Sequence, residues 1–224
     1  MGDPIRMEKK TIIAPSILAG DVGNLTDSAK KIESSKADWL HFDVMDGHFV
    51  PNISFGHWSC AAVNRSVDMF LDVHLMVYNP YDYVERFVEA GADSITFHFE
   101  ATEDVDETLK YIRKCNVKAG LAFNPETSVS MVPKYLDKCD LILYMTVNPG
   151  KGGQSFLPEV LEKVQLTREW VDKLKLPTHI QVDGGINLET GKLSKNAGAD
   201  ILVSGTYLFQ SNDMAQAVDE LRKI

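Results

Sequence analysis

The sequence predicts an α/β fold, a (β/α)8 TIM barrel in a single domain spanning residues 1–224. Three observations carry this. Short apolar, β-branched runs alternate with longer amphipathic segments, the pattern of right-handed βαβ crossovers and a parallel sheet. A helix-to-strand junction echoes through the chain as Ala90-Gly91-Ala92-Asp93 and Ala197-Gly198-Ala199-Asp200, with Lys36-Ala37-Asp38 a weaker copy; glycine there ends a helix. Finally, no linker, low-complexity stretch or shift of composition divides the 224 residues, a length at which α/β barrels are commonly one domain. An open, doubly wound sheet is the competing arrangement, but eight strand–helix units close most naturally as a barrel.

The strand-like runs are residues 11–17, 39–45, 69–76, 94–99, 117–123, 141–147, 178–182 and 201–204, each of strand length and composition. Helical spacing fills the gaps between them. In residues 81–90 it places Tyr83, Val84, Phe87 and Val88 on one stripe; in residues 158–174 it does the same with Val160, Leu161, Val164, Trp170, Val171 and Leu174. The acidic run 100–107 reads as a solvated helix start. Residues 1–8 read as a flexible extension, with Met7 as the natural start. The polar segment 1–10 lacks the apolar core of a signal peptide.

Composition narrows the function. Hydrophobic residues make up 44% and charged residues 25% of the chain, ordinary for a soluble globular protein. The net charge of −9 argues against a nucleic-acid partner, which needs a basic face. It leaves room for a small anionic substrate, because backbone N–H groups hold phosphate without net positive charge. No apolar run approaches the roughly 20 residues of a membrane span, so no membrane partner is expected. Cys60, Cys115 and Cys139 are odd in number and form no Cys-x-x-Cys pair. They read as free thiols in a reducing, cytoplasmic setting.

In a TIM barrel the active site lies at the C-terminal ends of the strands, so polar residues there should converge. The richest segment is His41-Phe42-Asp43-Val44-Met45-Asp46-Gly47-His48-Phe49-Val50-Pro51-Asn52. Residues two apart in a strand share a face, so His41, Asp43 and Met45 point one way, with Trp39. If that way is inward, an imidazole and a carboxylate are buried together, and a metal ion compensates the buried charge. A hydrogen-bonded His–Asp pair without metal is the plain structural alternative. The next strand adds Asp72, His74 and Met76 on one face, and Asp183 follows the seventh strand. Two histidines and two carboxylates suit one divalent metal ion, Zn2+, Fe2+, Mn2+ or Co2+, without choosing among them.

Glycine-bearing turns follow the late strands. Residues 148–156 contain Gly150, Gly152 and Gly153 around Lys151. Gly184 and Gly185 follow the seventh strand, and Gly205 and Thr206 the eighth. Glycine lets the backbone approach an anion closely, and barrels often bind phosphate at the seventh and eighth loops. Neither late turn offers Lys or Arg, so a phosphate there depends on N–H groups and helix dipoles. Met45, Met76 and Met145 fall near strand ends, where methionine is more often core filling. Ser16 closes the first strand; its hydroxyl meets a sugar or caps a surface turn. His98 ends the fourth strand near the expected pocket, while His48, His57 and His179 show no constellation.

These segments resemble the ribulose-phosphate 3-epimerase family. Ala14-Pro15-Ser16-Ile17-Leu18, the stretch from His41 to Asn52, His74-Leu75-Met76-Val77, Met145-Thr146-Val147-Asn148-Pro149-Gly150, Gly152-Gly153-Gln154-Ser155-Phe156 and Val182-Asp183-Gly184-Gly185-Ile186 occur in the family's order over nearly the whole chain. The resemblance implies a metal held by His41, Asp43, His74 and Asp183, with Asp43 and Asp183 as a two-base acid/base pair. It implies substrate contacts at Ser16, His74 and Gly150. It places phosphate at Gly152, Gly153, Gly184, Gly185, Gly205 and Thr206, and packs the three methionines near the reacting carbons. The implied reaction interconverts D-ribulose 5-phosphate and D-xylulose 5-phosphate through an enediolate, as in the pentose phosphate pathway. A homo-oligomer is implied by the resemblance alone.

Two positions depart from the family: Lys151 stands where an aromatic residue is usual, and Thr206 where serine is. The related allulose-6-phosphate 3-epimerases share the metal segment, although Val182-Asp183-Gly184-Gly185-Ile186 and the Gly152-Gly153 pair favour the ribulose enzyme. A metal-free phosphate-binding barrel, a lyase or synthase, and a non-catalytic metal-binding protein are the more distant alternatives.

Overall fold

The computed structural model describes residues 10–224. The expected extension at residues 1–8 lies outside them. Eight parallel strands are ordered β1-β8-β7-β6-β5-β4-β3-β2: β1 (Ile12–Pro15), β2 (Trp39–Met45), β3 (Phe70–Met76), β4 (Ser94–His98), β5 (Lys118–Phe123), β6 (Leu141–Met145), β7 (His179–Asp183) and β8 (Ile201–Ser204). A parallel bridge between Ser16 and His41 and the Asp38 N–H donated to the Ile13 carbonyl (3.0 Å) bring β1 against β2. The sheet is thus a TIM barrel and not an open wound sheet.

The helices are α1 (Leu25–Ser34), α2 (His57–Asn64), α3 (Val84–Glu89), α4 (Val105–Lys114), α5 (Leu161–Leu174), α6 (Leu188–Ala197), α7 (Thr206–Phe209) and α8 (Met214–Arg222). Two expected helices begin as tight 3-10 turns, Pro80–Tyr83 before α3 and Pro158–Val160 before α5. Both turns open on proline, whose fixed φ suits a helix start. Between β5 and β6 the sequence predicts a helix, yet the chain forms only the 3-10 segment Val129–Lys134. Pro133 inside it lacks the N–H an α-helix needs and clashes with the preceding turn. Leu174 does not join the buried stripe of α5: it is exposed at the helix end, where Lys175 turns left-handed and ends the helix.

Alternation along each strand sorts the side chains. Leu40, Phe42 and Val44 of β2, Leu71, Val73 and Leu75 of β3, and Ile180 and Val182 of β7 face outward into the main core under the helices. The inward set fills the barrel and carries its polar groups, as the period of two requires.

The repeated junction has a structural purpose. Asp38, Asp93, Asp140 and Asp200 each stand directly before an even-numbered strand, at the lower edge of the sheet. The backbone N–H of each donates to the carbonyl of a residue on a neighbouring strand, and its carboxylate accepts that same residue's N–H. The clamped residues are Ile13, Leu71, Ala119 and Ile180. Four two-point clamps therefore fix the N-terminal rim, at the opposite end from the expected site.

Candidate active site

The interior of β2 and β3 begins the site. His41, Asp43, Asp72 and His74 are almost wholly buried on the inward face, because β2 and β3 run in register with Asp43 beside His74 and His41 beside Asp72. Asp183 reaches the same point from the end of β7. One ligand atom from each of His41, Asp43, His74 and Asp183 lies within 4.8 Å of the others. His41 Nε2 is 3.3 Å from Asp43 and 3.7 Å from Asp183; His74 Nδ1 is 3.1 Å from Asp43 and 3.9 Å from Asp183.

These four fit a divalent cation. Asp72 lies 2.8 Å from His41 Nδ1 and also accepts from Gln181 (2.6 Å) and from Ser94. Burial pushes the Asp72 carboxyl up, but these donors outweigh it and hold it below the usual carboxylate range. Asp72 is therefore an anion, His41 Nδ1 donates to it, and His41 Nε2 is left buried without a hydrogen-bond partner, facing two carboxylates. That atom presents either a lone pair to a cation or an extra proton to the anions.

Protons take the compensating role when no cation is bound. Burial opposes charge on His41, yet Asp43 and Asp72 raise its pKa well above the ordinary value. Burial likewise raises Asp43, but His41 and His74 reverse this and hold it far below. Asp183 is pushed up to about 7 by burial and by the charge of Asp43. Burial holds His74 down, to about 4. Two acids in one site driven in opposite directions mark a place built for charge transfer.

Above this cluster opens a cavity of about 490 Å3, within the range of small-molecule sites. Asp43 and Asp183 reach its floor, whereas His41 and His74 lie beneath. Met45, Met76 and Met145 line its apolar wall, each largely buried, and Ser16 stands beside Asp43. Ser16 Oγ donates to Asp43 Oδ2 at 2.5 Å, so this hydroxyl orients the carboxylate and is not a surface cap.

The far wall is backbone. Gly150, Gly152, Gly153, Gly184, Gly185, Gly205 and Thr206 all border the cavity, so the three late turns converge as the sequence predicts. Gly185 has φ +65°, and a Cβ there would meet the Phe156 backbone nitrogen at 2.9 Å. Only glycine lets these two turns pack so closely. Gln154 staples its own loop by donating to the carbonyls of Asn148 (2.6 Å) and Lys151 (2.7 Å). Lys151 is exposed at the cavity's edge.

Sequence reasoning missed two partners, Gln181 and Glu100, and put His98 near the pocket without giving it a role. Gln181 shares the inward face of β7 with Asp183, a relation the period of two would have given. His98 lies 2.9 Å from His74, nitrogen to nitrogen. Glu100 does not belong to a solvated helix start: it is half-buried, with Oε2 3.3 Å from His98 and Oε1 accepting from the Asn124 N–H at 2.9 Å. The helix begins only at Val105, because a 3-10 turn (Phe99–Ala101) folds Glu100 back toward the barrel.

Comparison with known proteins identifies the family. The model of the ribulose-phosphate 3 epimerase family matches residues 12–209. The chain is 47% identical over 213 residues to a ribulose-phosphate 3-epimerase of Chlamydia pneumoniae, covering 94% of this chain and 93% of that one. It is 50% identical over 205 residues to that of Chlamydia muridarum, covering 91% and 90%. Among solved structures, KGPDC from Streptococcus mutans superposes with a TM-score of 0.69 at 13% identity, covering 96% and 98%. That likeness speaks to the barrel alone. With a family match over most of its length and close relatives over nearly all of it, the chain belongs to the ribulose-phosphate 3-epimerase family and is an epimerase, an isomerase.

Proposed function

We propose that the chain is a metal-dependent 3-epimerase that interconverts D-ribulose 5-phosphate and D-xylulose 5-phosphate. The observation that carries this is the placement of two carboxylates, from β2 and β7, at the floor of one cavity above two buried histidines. His41, Asp43, His74 and Asp183 would hold one Zn2+, Fe2+, Mn2+ or Co2+ ion, a mixed nitrogen and oxygen set that all four accept. That ion, when bound, supplies Lewis-acid stabilisation of the negative charge that develops on the substrate oxygens.

The protein groups divide the remaining work. Inversion at C3 needs a proton taken from one face and another delivered to the opposite face. Asp43 and Asp183, on strands separated by β1 and β8, act as that pair. Ser16 keeps Asp43 aimed. Met45, Met76 and Met145 exclude water from the reacting carbons, which strengthens every electrostatic contact there. The N–H groups of Gly152, Gly153, Gly184, Gly185 and Gly205, with Thr206, hold the phosphate at the far wall, and Gly150 contacts the substrate.

The test is metal analysis together with a coupled assay on ribulose 5-phosphate. Bound divalent metal and turnover that a chelator abolishes are expected. Turnover without metal would overturn the metal reading, and preferred conversion of allulose 6-phosphate would overturn the substrate.

A further inference from the structure

We propose that Glu100 is a positioning residue for the metal site, acting through His98 on His74. The inference rests on the metal reading above. The three side chains form a line: His74 Nε2 is 2.9 Å from His98 Nε2, and His98 Nδ1 is 3.3 Å from Glu100 Oε2. Both imidazoles are wholly buried. Their rings stack at 5.0 Å, with Phe49 covering His98 at 4.7 Å on the ring centroids.

The line has a direction. A neutral imidazole donates through one nitrogen and accepts through the other. The Glu100 carboxylate only accepts, so His98 Nδ1 carries its proton and His98 Nε2 accepts. His74 Nε2 must then donate, which leaves the lone pair of His74 Nδ1 facing Asp43 and Asp183, where the metal belongs. Glu100 thus dictates which nitrogen of a residue two links away is free to bind the ion. Outer partners of this kind fix tautomer and ring orientation in metal sites.

Glu100 is itself fixed. Its Oε1 accepts from the Asn124 N–H (2.9 Å) and from the Thr127 hydroxyl. Lys163 of α5 holds that same loop by donating to the carbonyls of Thr127 (2.8 Å) and Pro125. The loop after β5 therefore reaches the metal site through one carboxylate.

Glu100→Gln separates this role from simple packing. The Asn124 N–H requires an oxygen at one end of the amide, so the NH2 group faces His98 Nδ1. His98 would then have to accept through Nδ1 and donate through Nε2, and His74 would present N–H to the metal. Glu100→Ala imposes no direction. Co2+ affinity, read by chelator competition on the purified protein, is expected to fall at least about tenfold in Glu100→Gln and less in Glu100→Ala. A packing role ranks them the other way, since glutamine keeps the shape. Thermal denaturation of both variants establishes that they are folded. Folded Glu100→Gln with Co2+ affinity equal to wild type, or weakened less than in Glu100→Ala, overturns the proposal. If Glu100→Gln fails to fold, Thr127→Val, which removes one anchor of the carboxylate, must weaken Co2+ binding, and unchanged binding overturns the proposal. Wild-type protein that binds no Co2+ overturns the metal reading instead.

Discussion

Gln181 of β7 donates to Asp72 of β3 across the barrel interior at 2.6 Å, and the same carboxylate oxygen lies 2.8 Å from His41 Nδ1. A bond between strands on opposite sides of the barrel thus sets the orientation of a histidine in the site. Asp72→Asn removes the charge that fixes His41 Nδ1 as donor while nearly keeping the shape. Metal affinity should fall about 10–100-fold, measured by chelator competition. An unchanged affinity in a folded variant would show that His41 needs no such partner.

Asp183→Asn tests the two-base pair. In D2O the wild-type enzyme should place solvent deuterium at C3 of its product. With metal occupancy measured alongside, Asp183→Asn should lose at least about a hundredfold in kcat, the usual worth of a general acid/base, yet still exchange C3 hydrogen through Asp43 from one epimer. Normal epimerisation by the metal-loaded variant rejects the assignment.

Lys151 stands exposed at the edge of the cavity, whose far wall is made of backbone groups. Lys151→Met should therefore change KM for ribulose 5-phosphate by less than about threefold, well short of the tenfold that roughly 1.4 kcal/mol represents. A rise of tenfold or more would make Lys151 a phosphate ligand.

Asp38 gives a pH signature away from the site. Burial pushes its carboxyl up, but bonds from Lys10, the Ile13 N–H and Arg222 outweigh it and hold the pKa below the ordinary 3.8. A folded-state pKa lowered in this way stabilises the fold fully above the unfolded value, and the benefit is lost as pH falls through the folded value. Asp38→Asn should lower Tm at pH 7 by about 2–4 °C, the effect of roughly 1 kcal/mol in a domain of this size. The two melting curves should converge as pH drops below the carboxylate range. A gap constant from pH 7 to pH 3 would show that the charge of Asp38 contributes nothing.

The main outline was legible because barrel strands obey a period of two. His41, Asp43 and Met45 had to share a face, and the next strand had to offer Asp72, His74 and Met76. What stayed hidden depends on contacts between distant positions. Gln181 and Asp72 are 109 residues apart, and no local pattern pairs them. Glu100 was masked by its company, since a run of acids reads as solvated surface until a 3-10 turn folds one back. The absent helix after β5 was legible in principle, because Pro133 interrupts the segment that would have formed it.

The four aspartate clamps pair β1 with β2, β3 with β4, β5 with β6 and β7 with β8. The lower rim therefore has an approximate fourfold order that the upper rim lacks, since the four candidate metal ligands come from β2, β3 and β7 alone. Each quarter carries its own instruction for closure in a single residue, written at the far end of the strands from the reacting groups. The chain is in this sense modular along the barrel axis: the catalytic end can be rewritten by substitution or loop exchange while the quarters go on assembling as before.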